Sequence, residues 1–359
     1  MRHKKSIVFA GGGSGGHVAP IRAVIPGIKD SDHFSALYWI GTERFEQKAA
    51  SELGVTFIKI STGKLRRYFD LKNFSDVFLT VLAVLRCVAI LLRIKPEVVF
   101  ASGGFVSVPV VLAAKLLRVK IVIHEQTMAL GMANRISSVC ANRILLGFAS
   151  STLHLPFGGA AKATVVGNPV NKSLLVKGDV RRHFPISSKA KKIVYVTGGS
   201  QGATIINKNI WKILPKLVAK DWCVIHQCGK YDIAAARQLE SRYRGYYFAA
   251  EYLEGELASI YQSADIVISR SGAGTVNELA YFGIPAVLVP LEPNDNGEQK
   301  MNARDFIQRC PGAIVKQPEL TPEALWRAIA SLESSQRLRN WEAKTDESAR
   351  LITDVLIGA

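Results

Sequence analysis

The sequence predicts two α/β domains, each built on a doubly wound parallel sheet, and three observations carry that expectation. The stretch "IVFAGGGSGG" at 7–16 returns as "IVYVTGGSQG" at 193–202, so one glycine-rich turn is written twice. Continuous apolar runs that end in glycine or polar loops recur at 7–10, 98–101, 121–123, 193–197, 266–269 and 286–290, as strands buried on both faces do. Helical patterns lie between them, among others at 109–118, 207–219 and 275–282, and such alternation means βαβ units. A length of 359 residues suits two domains, and 48% hydrophobic residues can fill two cores.

Taken in order, the run at 7–10 breaks into glycine and opens a helix. The second strand, "LYWIGT", ends in Thr42, and "DSD" at 30–32 falls before it, in a turn at the opposite edge of the sheet. The stretch "DVFLTVLAVLRCVAILLR" (76–93) is apolar apart from Asp76, Thr80, Arg86 and Arg93. As a helix its residues 77–92 would reach only about 24 Å, with an arginine midway, too short and too polar to span a bilayer. It should bury one flank in its domain and offer an oily flank to lipid. Residues 98–123 and 266–289 each read strand, small-residue loop, helix, strand. Each half therefore carries two glycine-rich turns at strand C-termini, where open α/β sheets bind ligands. Two Rossmann-like domains of this kind should face one cleft, joined by a hinge at "VVGNPVN" (165–171).

Net charge is +17, and residues 1–168 hold 21 Lys/Arg against 9 Asp/Glu. A basic half predicts an anionic partner. With no zinc-finger spacing or RNA-recognition signature, nucleic acid ranks below acidic lipid and phosphorylated substrate. Five scattered cysteines without metal-ligand spacing predict buried thiols of a reducing cytosol. The early break into glycine argues against a secretory signal.

A glycine turn leading into a helix exposes backbone N–H groups at the positive end of the helix dipole, which favours phosphate. No Gly-Lys-Ser/Thr follows any of these turns, and no acid closes the second strand as a dinucleotide fingerprint needs. His17 follows the first turn at a helix start, where the dipole disfavours imidazolium. That suits a neutral general base, with a capping or phosphate contact as the alternative role. Glu125 in "VIHEQT" is the lone carboxylate between 98 and 178. At a strand end it competes with His17 as base, or else pairs with an arginine such as Arg135. In "SRSGAGTVNE" (269–278) small residues admit a phosphate, Thr275 offers a hydroxyl and Glu278 can accept from ribose hydroxyls. A Thr-x-x-Glu capping box would need no ligand. No well-placed acid pair remains, so neither a metal nor another cofactor is expected.

The motifs "GGGSGGHVAP", "GGFVSVP", "HEQT", "GNPV", "GGSQGA", "RSGAGTVNELAYFGIPAVLVP" and "EQKMNA" occur in that order. Together they resemble the MurG family of N-acetylglucosaminyltransferases, from residue 7 to at least 304. The resemblance implies the two-domain GT-B glycosyltransferase fold, here 1–166 and 167–339, with a C-terminal helix within 340–359 packing back on the first domain. It implies inverting transfer of N-acetylglucosamine from UDP-GlcNAc to the 4-hydroxyl of the muramic acid residue of lipid I, giving lipid II for peptidoglycan. Carried over residue by residue, donor contacts fall on Ser14, Gly15, Gly16, Thr127, Asn171, Ser200, Leu253, Ala273, Gly274, Thr275, Val276, Asn277, Glu278 and Gln299. The acceptor diphosphate falls on Gly103 and Gly104, and His17 is the favoured base.

Two positions depart from the family. Thr127 stands where HEQ is usually followed by Asn, and Asn171 where GNPV is usually followed by Arg. A shorter side chain and a lost guanidinium weaken the expected grip on the donor. The resemblance also implies peripheral attachment to the cytoplasmic face of an anionic inner or plasma membrane, beside other cell-wall synthesis proteins. The basic and aromatic "GKLRRYF" (63–69) fits such a face. Alternative readings of the fold are another membrane-associated transferase making a glycolipid or polysaccharide precursor, a UDP-GlcNAc 2-epimerase, or a non-catalytic nucleotide-sugar-binding protein.

Overall fold

The computed structural model describes residues 5–13, 15–42, 45–63, 72–128, 130–199, 201–292, 297–338 and 347–359, and of residues 45 and 72–77 the backbone alone. The chain forms two compact units, one of Met1–Asn171 with Thr345–Ala359 and one of Lys172–Lys344.

Among the described residues the sheet of unit 1 holds β1 (Ser6–Gly11), β2 (Ala36–Gly41), β3 (Thr56–Lys59), β4 (Val98–Gly103), β5 (Lys120–Glu125), β6 (Arg143–Leu146) and β7 (Ala163–Val165). They pair in parallel in the order 3-2-1-4-5-6-7. Helices α1 (Gly15–Asp30), α2 (Phe45–Glu52), α3 (Lys72–Ile94), α4 (Ser107–Leu116) and α5 (Met132–Cys140) link successive strands. Alternate residues of β1 feed opposite faces. Ile7 and Phe9 join a core with Ile21 of α1 and Ala50 of α2, while Val8 and Ala10 join another with Leu91 of α3 and Val110 of α4. With both faces covered, the strand reads as one unbroken apolar run.

Unit 2 repeats the plan. Its strands β8 (Lys192–Thr197), β9 (Trp222–Gln227), β10 (Tyr247–Ala250), β11 (Ile266–Ser269), β12 (Ala286–Leu288) and β13 (Gly312–Ile314) pair in parallel in the order 10-9-8-11-12-13. Its helices are α6 (Thr204–Ala219), α7 (Ile233–Arg242), α8 (Leu257–Ser263), α9 (Ala273–Phe282), α10 (Glu298–Arg309) and α11 (Pro322–Ser331). The last helix, α12 (Glu347–Ile357), belongs to unit 1. There Ile352 and Leu356 enter the core of Ile21 and Ile25, and a Cβ on Gly27 of α1 would lie 3.0 Å from Thr353 Oγ1.

Each sheet reverses its winding once, between β1 and β4 in unit 1 and between β8 and β11 in unit 2. The loops leaving those strands lie side by side at the carboxyl edge, the switch point where such sheets take ligands. All four glycine-rich turns singled out in the sequence stand at these two switch points.

Helix α3 is one-sided. Ala83, Cys87 and Leu91 are buried at four-residue spacing, while Phe78 (64% exposed), Leu82 and Leu85 (60%) face solvent. Among the described residues no helix is long and apolar enough to cross a membrane.

Candidate functional site

In unit 1 the β1–α1 turn is braced from beneath. Glu46 in α2 is fully buried, and its Oε1 accepts the Gly13 amide (2.9 Å) and Thr42 Oγ1 (3.0 Å). Trp39 Nε1 donates to Gly11 O at 3.1 Å. Gly12 has no room for a side chain, since a Cβ would sit 1.7 Å from Glu46 Oε1. The β4–α4 turn closes from the other side. Gly103 and Gly104 adopt φ of +101° and +82°, a region open to glycine. A Cβ on Gly104 would meet Gly12 O at 2.1 Å. Loop-on-loop packing therefore demands these glycines independently of any diphosphate.

His17, in the first turn of α1, is half-buried at this junction. Its Nδ1 lies 3.2 Å from Ser102 O and 3.4 Å from Gln126 Oε1. Gly15 and Gly16 are exposed at the helix start, with open space where a Cβ on Gly15 would stand. Ser14 and Ser200 lie outside the described residues, as do 64–69 of the basic aromatic stretch. Asn171 is the last residue of the first segment of unit 1.

Strand β5 ends in buried His124 and Glu125, and a buried Gln126 follows directly. Among the described residues Glu125 pairs with no arginine. Its Oε1 accepts from Thr127 N (2.9 Å) and Thr127 Oγ1 (2.7 Å), and its Oε2 from Gly131 N (3.0 Å) and Asn134 Nδ2 (3.1 Å). Four donors occupy a carboxylate with about four acceptor positions, so it shapes the loop after β5. The Thr127 hydroxyl is turned inward to that carboxylate.

In unit 2, α9 starts directly behind β11. Its N-cap is Gly272, extended and without a side-chain cap, so the first amides of α9 have no intrahelical partner. A Cβ on Gly272 or Gly274 would meet nothing within 4 Å. Thr275 sits inside the helix and Glu278 bonds elsewhere, so the Thr-x-x-Glu pair is not a capping box. Val276 is fully buried, and its amide donates to Gly272 O at 3.0 Å. Asn277 and the half-buried Glu278 follow in the same turn. Tyr261 donates its hydroxyl hydrogen to Glu278 Oε2 at 3.0 Å. Desolvation pushes the Glu278 carboxyl up to about 7, against the pull of that hydrogen bond.

The neighbouring turns are tied to this one. Gln299 of α10 accepts the Leu291 amide at Oε1 (3.0 Å), and its carbonyl accepts from Ser271 Oγ (2.8 Å). In the β8–α6 turn, a Cβ on Gly202 would lie 2.1 Å from Cys228 O. Gln227 closes β9, donates to Gly199 O (3.0 Å) and accepts the Leu253 amide at Oε1 (2.9 Å). Leu253 itself is buried. Glu46, Gln126, Gln227 and Tyr261 are site residues that carry no individual mark in the sequence. The two glutamines share a signal, since each follows "VIH" closely at the end of a buried run.

Two Rossmann-like units with helix-opening glycine turns at both switch points define the GT-B class of glycosyltransferase folds. The description "Glycosyltransferase family 28 N-terminal domain" matches residues 7–146, and "Glycosyltransferase family 28 C-terminal domain" matches 193–355. The chain belongs to glycosyltransferase family 28, in its MurG branch. It is 36% identical over 336 residues to the UDP-N-acetylglucosamine--N-acetylmuramyl-(pentapeptide) pyrophosphoryl-undecaprenol N-acetylglucosamine transferase of Clostridium perfringens (strain SM101), covering 93% of this chain and 91% of that one. The protein of the same name from Clostridium botulinum (strain Langeland) is 35% identical over 358 residues, covering 98% of each. Among solved structures, Acinetobacter baumannii MurG aligns with a TM-score of 0.71 at 22% identity, over 99% of this chain and 100% of that one. The UDP-GlcNAc 2-epimerase of Neisseria meningitidis, bound to UDP-GlcNAc, gives 0.70 at 15% over 99% of each chain. These structures share the fold.

Proposed function

We propose that this glycosyltransferase moves N-acetylglucosamine from UDP-GlcNAc to the 4-hydroxyl of the MurNAc residue of undecaprenyl-diphospho-MurNAc-peptide, lipid I, giving lipid II for peptidoglycan. The observation that carries the reading is His17. Its Nδ1 faces two oxygen acceptors, so the neutral ring keeps its lone pair on Nε2, at a helix start beside both glycine turns of unit 1. Nε2 takes the proton of the acceptor hydroxyl while the hydroxyl oxygen attacks the anomeric carbon from the face opposite UDP. The bond from that carbon to the UDP oxygen breaks, UDP leaves with the electron pair, and configuration inverts. The unpartnered amides and dipole of α9 meet the charge developing on the diphosphate. Glu278 accepts from the ribose hydroxyls, and the Gly103–Gly104 turn takes the acceptor diphosphate.

The lipid-linked acceptor calls for a membrane. The oily flank of α3 and the basic balance of residues 1–168 suit peripheral docking on the cytoplasmic face of an anionic bilayer. The direct test is turnover. Purified protein given UDP-GlcNAc and a soluble lipid I analogue should form a β1,4-linked product. His17→Ala should lower kcat by about 10²–10⁴ while UDP-GlcNAc binding, read by calorimetry, persists. Absence of that product, or epimerised UDP-sugar in its place, would refute the reading.

A further inference from the structure

Behind His17 runs a chain of hydrogen bonds whose polarity is dictated at every joint. Gln126 Nε2 lies 2.8 Å from Ser102 O and 3.0 Å from His124 O. Both are carbonyl oxygens that can only accept, so this end of the amide must be its NH2. The other end, Oε1, therefore faces His17 Nδ1 at 3.4 Å, where Ser102 O also stands at 3.2 Å. An imidazole nitrogen between two acceptors must carry a hydrogen. His124 Nε2 lies 3.0 Å from Gly167 O, which can only accept, so Nε2 carries the hydrogen and the neutral ring keeps its lone pair on Nδ1, 3.1 Å from Gln126 Nε2, whose two hydrogens are shared among three acceptors. His124 is fully buried, and desolvation pushes its imidazole down to about 4, so it stays neutral and keeps Nδ1 as an acceptor. Asn168 Nδ2 pins the Gln126 backbone carbonyl at 2.9 Å.

We propose that Gln126, oriented by His124 and the Gly167 carbonyl, is a positioning residue that locks the neutral His17 ring in its Nδ1–H form. This deepens the function above and rests on His17 as the base. An exposed neutral imidazole interconverts between two tautomers, and only the one with its lone pair on Nε2 can take the acceptor proton from the open side of the ring. Gln126 removes the unproductive form without touching substrate. The orienting partner here is a neutral amide, and it is anchored through a second histidine.

The test is nitrogen-15 NMR of the full-length protein labelled at histidine, with His17 assigned by its loss in His17→Ala. At mildly alkaline pH the wild-type His17 ring should show a protonated Nδ1 and an unprotonated Nε2. Gln126→Ala should move that ring toward a mixture of tautomers and lower kcat about tenfold or more, with KM for UDP-GlcNAc within about twofold. A wild-type ring protonated at Nε2 overturns the proposal without any variant. An unchanged ring in folded Gln126→Ala overturns the role of Gln126. Undiminished turnover in His17→Ala would instead strike the base assignment, and the spectrum would still judge the tautomer lock.

Discussion

Tyr261 donates its hydroxyl hydrogen to Glu278 Oε2 across 3.0 Å, and burial still pushes that carboxyl up to about 7. A protonated carboxyl has lost acceptor capacity. If Glu278 receives ribose hydroxyls, UDP-GlcNAc should bind best above pH 7 and weaken about tenfold per pH unit below it. The unliganded fold responds with the opposite sign. The folded carboxyl holds its proton more tightly than the unfolded one, so its stabilising contribution is full below the ordinary glutamate value of 4.5 and lost as pH rises through about 7. Glu278→Gln should therefore flatten the binding profile, and its Tm relative to wild type should rise between about pH 5 and pH 8.5. Calorimetry and thermal melts across that range read both effects. A flat wild-type binding profile would count against the ribose contact.

Each Glu125 oxygen already accepts from two donors among the described residues, and that separates it from His17. Glu125→Gln would point an NH2 group at a donor such as the Gly131 amide or Asn134 Nδ2. The expected cost is about 2–3 kcal/mol in urea unfolding, since buried donors lose their partner. His17→Ala, at a half-buried helix start, should leave the unfolding midpoint nearly unchanged and remove turnover. A Glu125→Gln protein that keeps its midpoint while turnover vanishes would make Glu125 the base.

Gly104 and Gly15 should respond differently to one methyl group. On Gly104 it would drive into Gly12 O, at 2.1 Å and with φ of +82°. Gly104→Ala should destabilise by more than about 2 kcal/mol. On Gly15 it meets nothing within 4 Å, in the first turn of a helix, where Gly→Ala is stabilising by about 0.5 kcal/mol. If the donor approaches the α1 amides there, Gly15→Ala should still raise KM for UDP-GlcNAc several-fold at nearly constant kcat. Urea melts and steady-state kinetics separate the two. A Gly15→Ala protein with unaltered KM would remove that residue from the donor site.

The four switch-point turns were legible because an apolar run that stops in glycine is a local pattern, and so was the one-sided helix α3. Glu46 was not legible. Its role depends on α2 passing beneath the β1–α1 turn, where Glu46 meets the Gly13 amide 33 residues away, a contact that leaves no mark on the charged stretch "ERFEQK". Gln126 was half legible, as part of a motif whose neighbours drew attention. Its hydrogen bonds reach Ser102, His124 and His17, and only the fold brings those together. Glu125 was found by its isolation in the sequence, yet the partners at Thr127, Gly131 and Asn134 lie a few residues ahead. The Arg135 pairing failed because local amides reach the carboxylate first. The Thr-x-x-Glu box failed because α9 begins earlier, at Ala273.

The exposed flank of α3 gives the last prediction. Phe78, Leu82 and Leu85 stand 64%, 46% and 60% exposed, on the side of the helix away from Ala83, Cys87 and Leu91. Half-exposed side chains on this flank add little to the fold, so serine at all three positions should lower the melting temperature only slightly, through helix propensity. Leu91→Ala, by contrast, should cost about 2–5 kcal/mol, because it empties the core under the helix. If the flank rests in the headgroup region, the triple variant should bind phosphatidylglycerol vesicles about tenfold or more weakly in sedimentation. Its turnover of a soluble acceptor analogue should match wild type, while turnover of an acceptor carried in vesicles falls. The remaining binding should fade with added salt, as attraction between a basic face and anionic lipid does. A triple variant that sediments with vesicles as wild type does would place the membrane contact elsewhere.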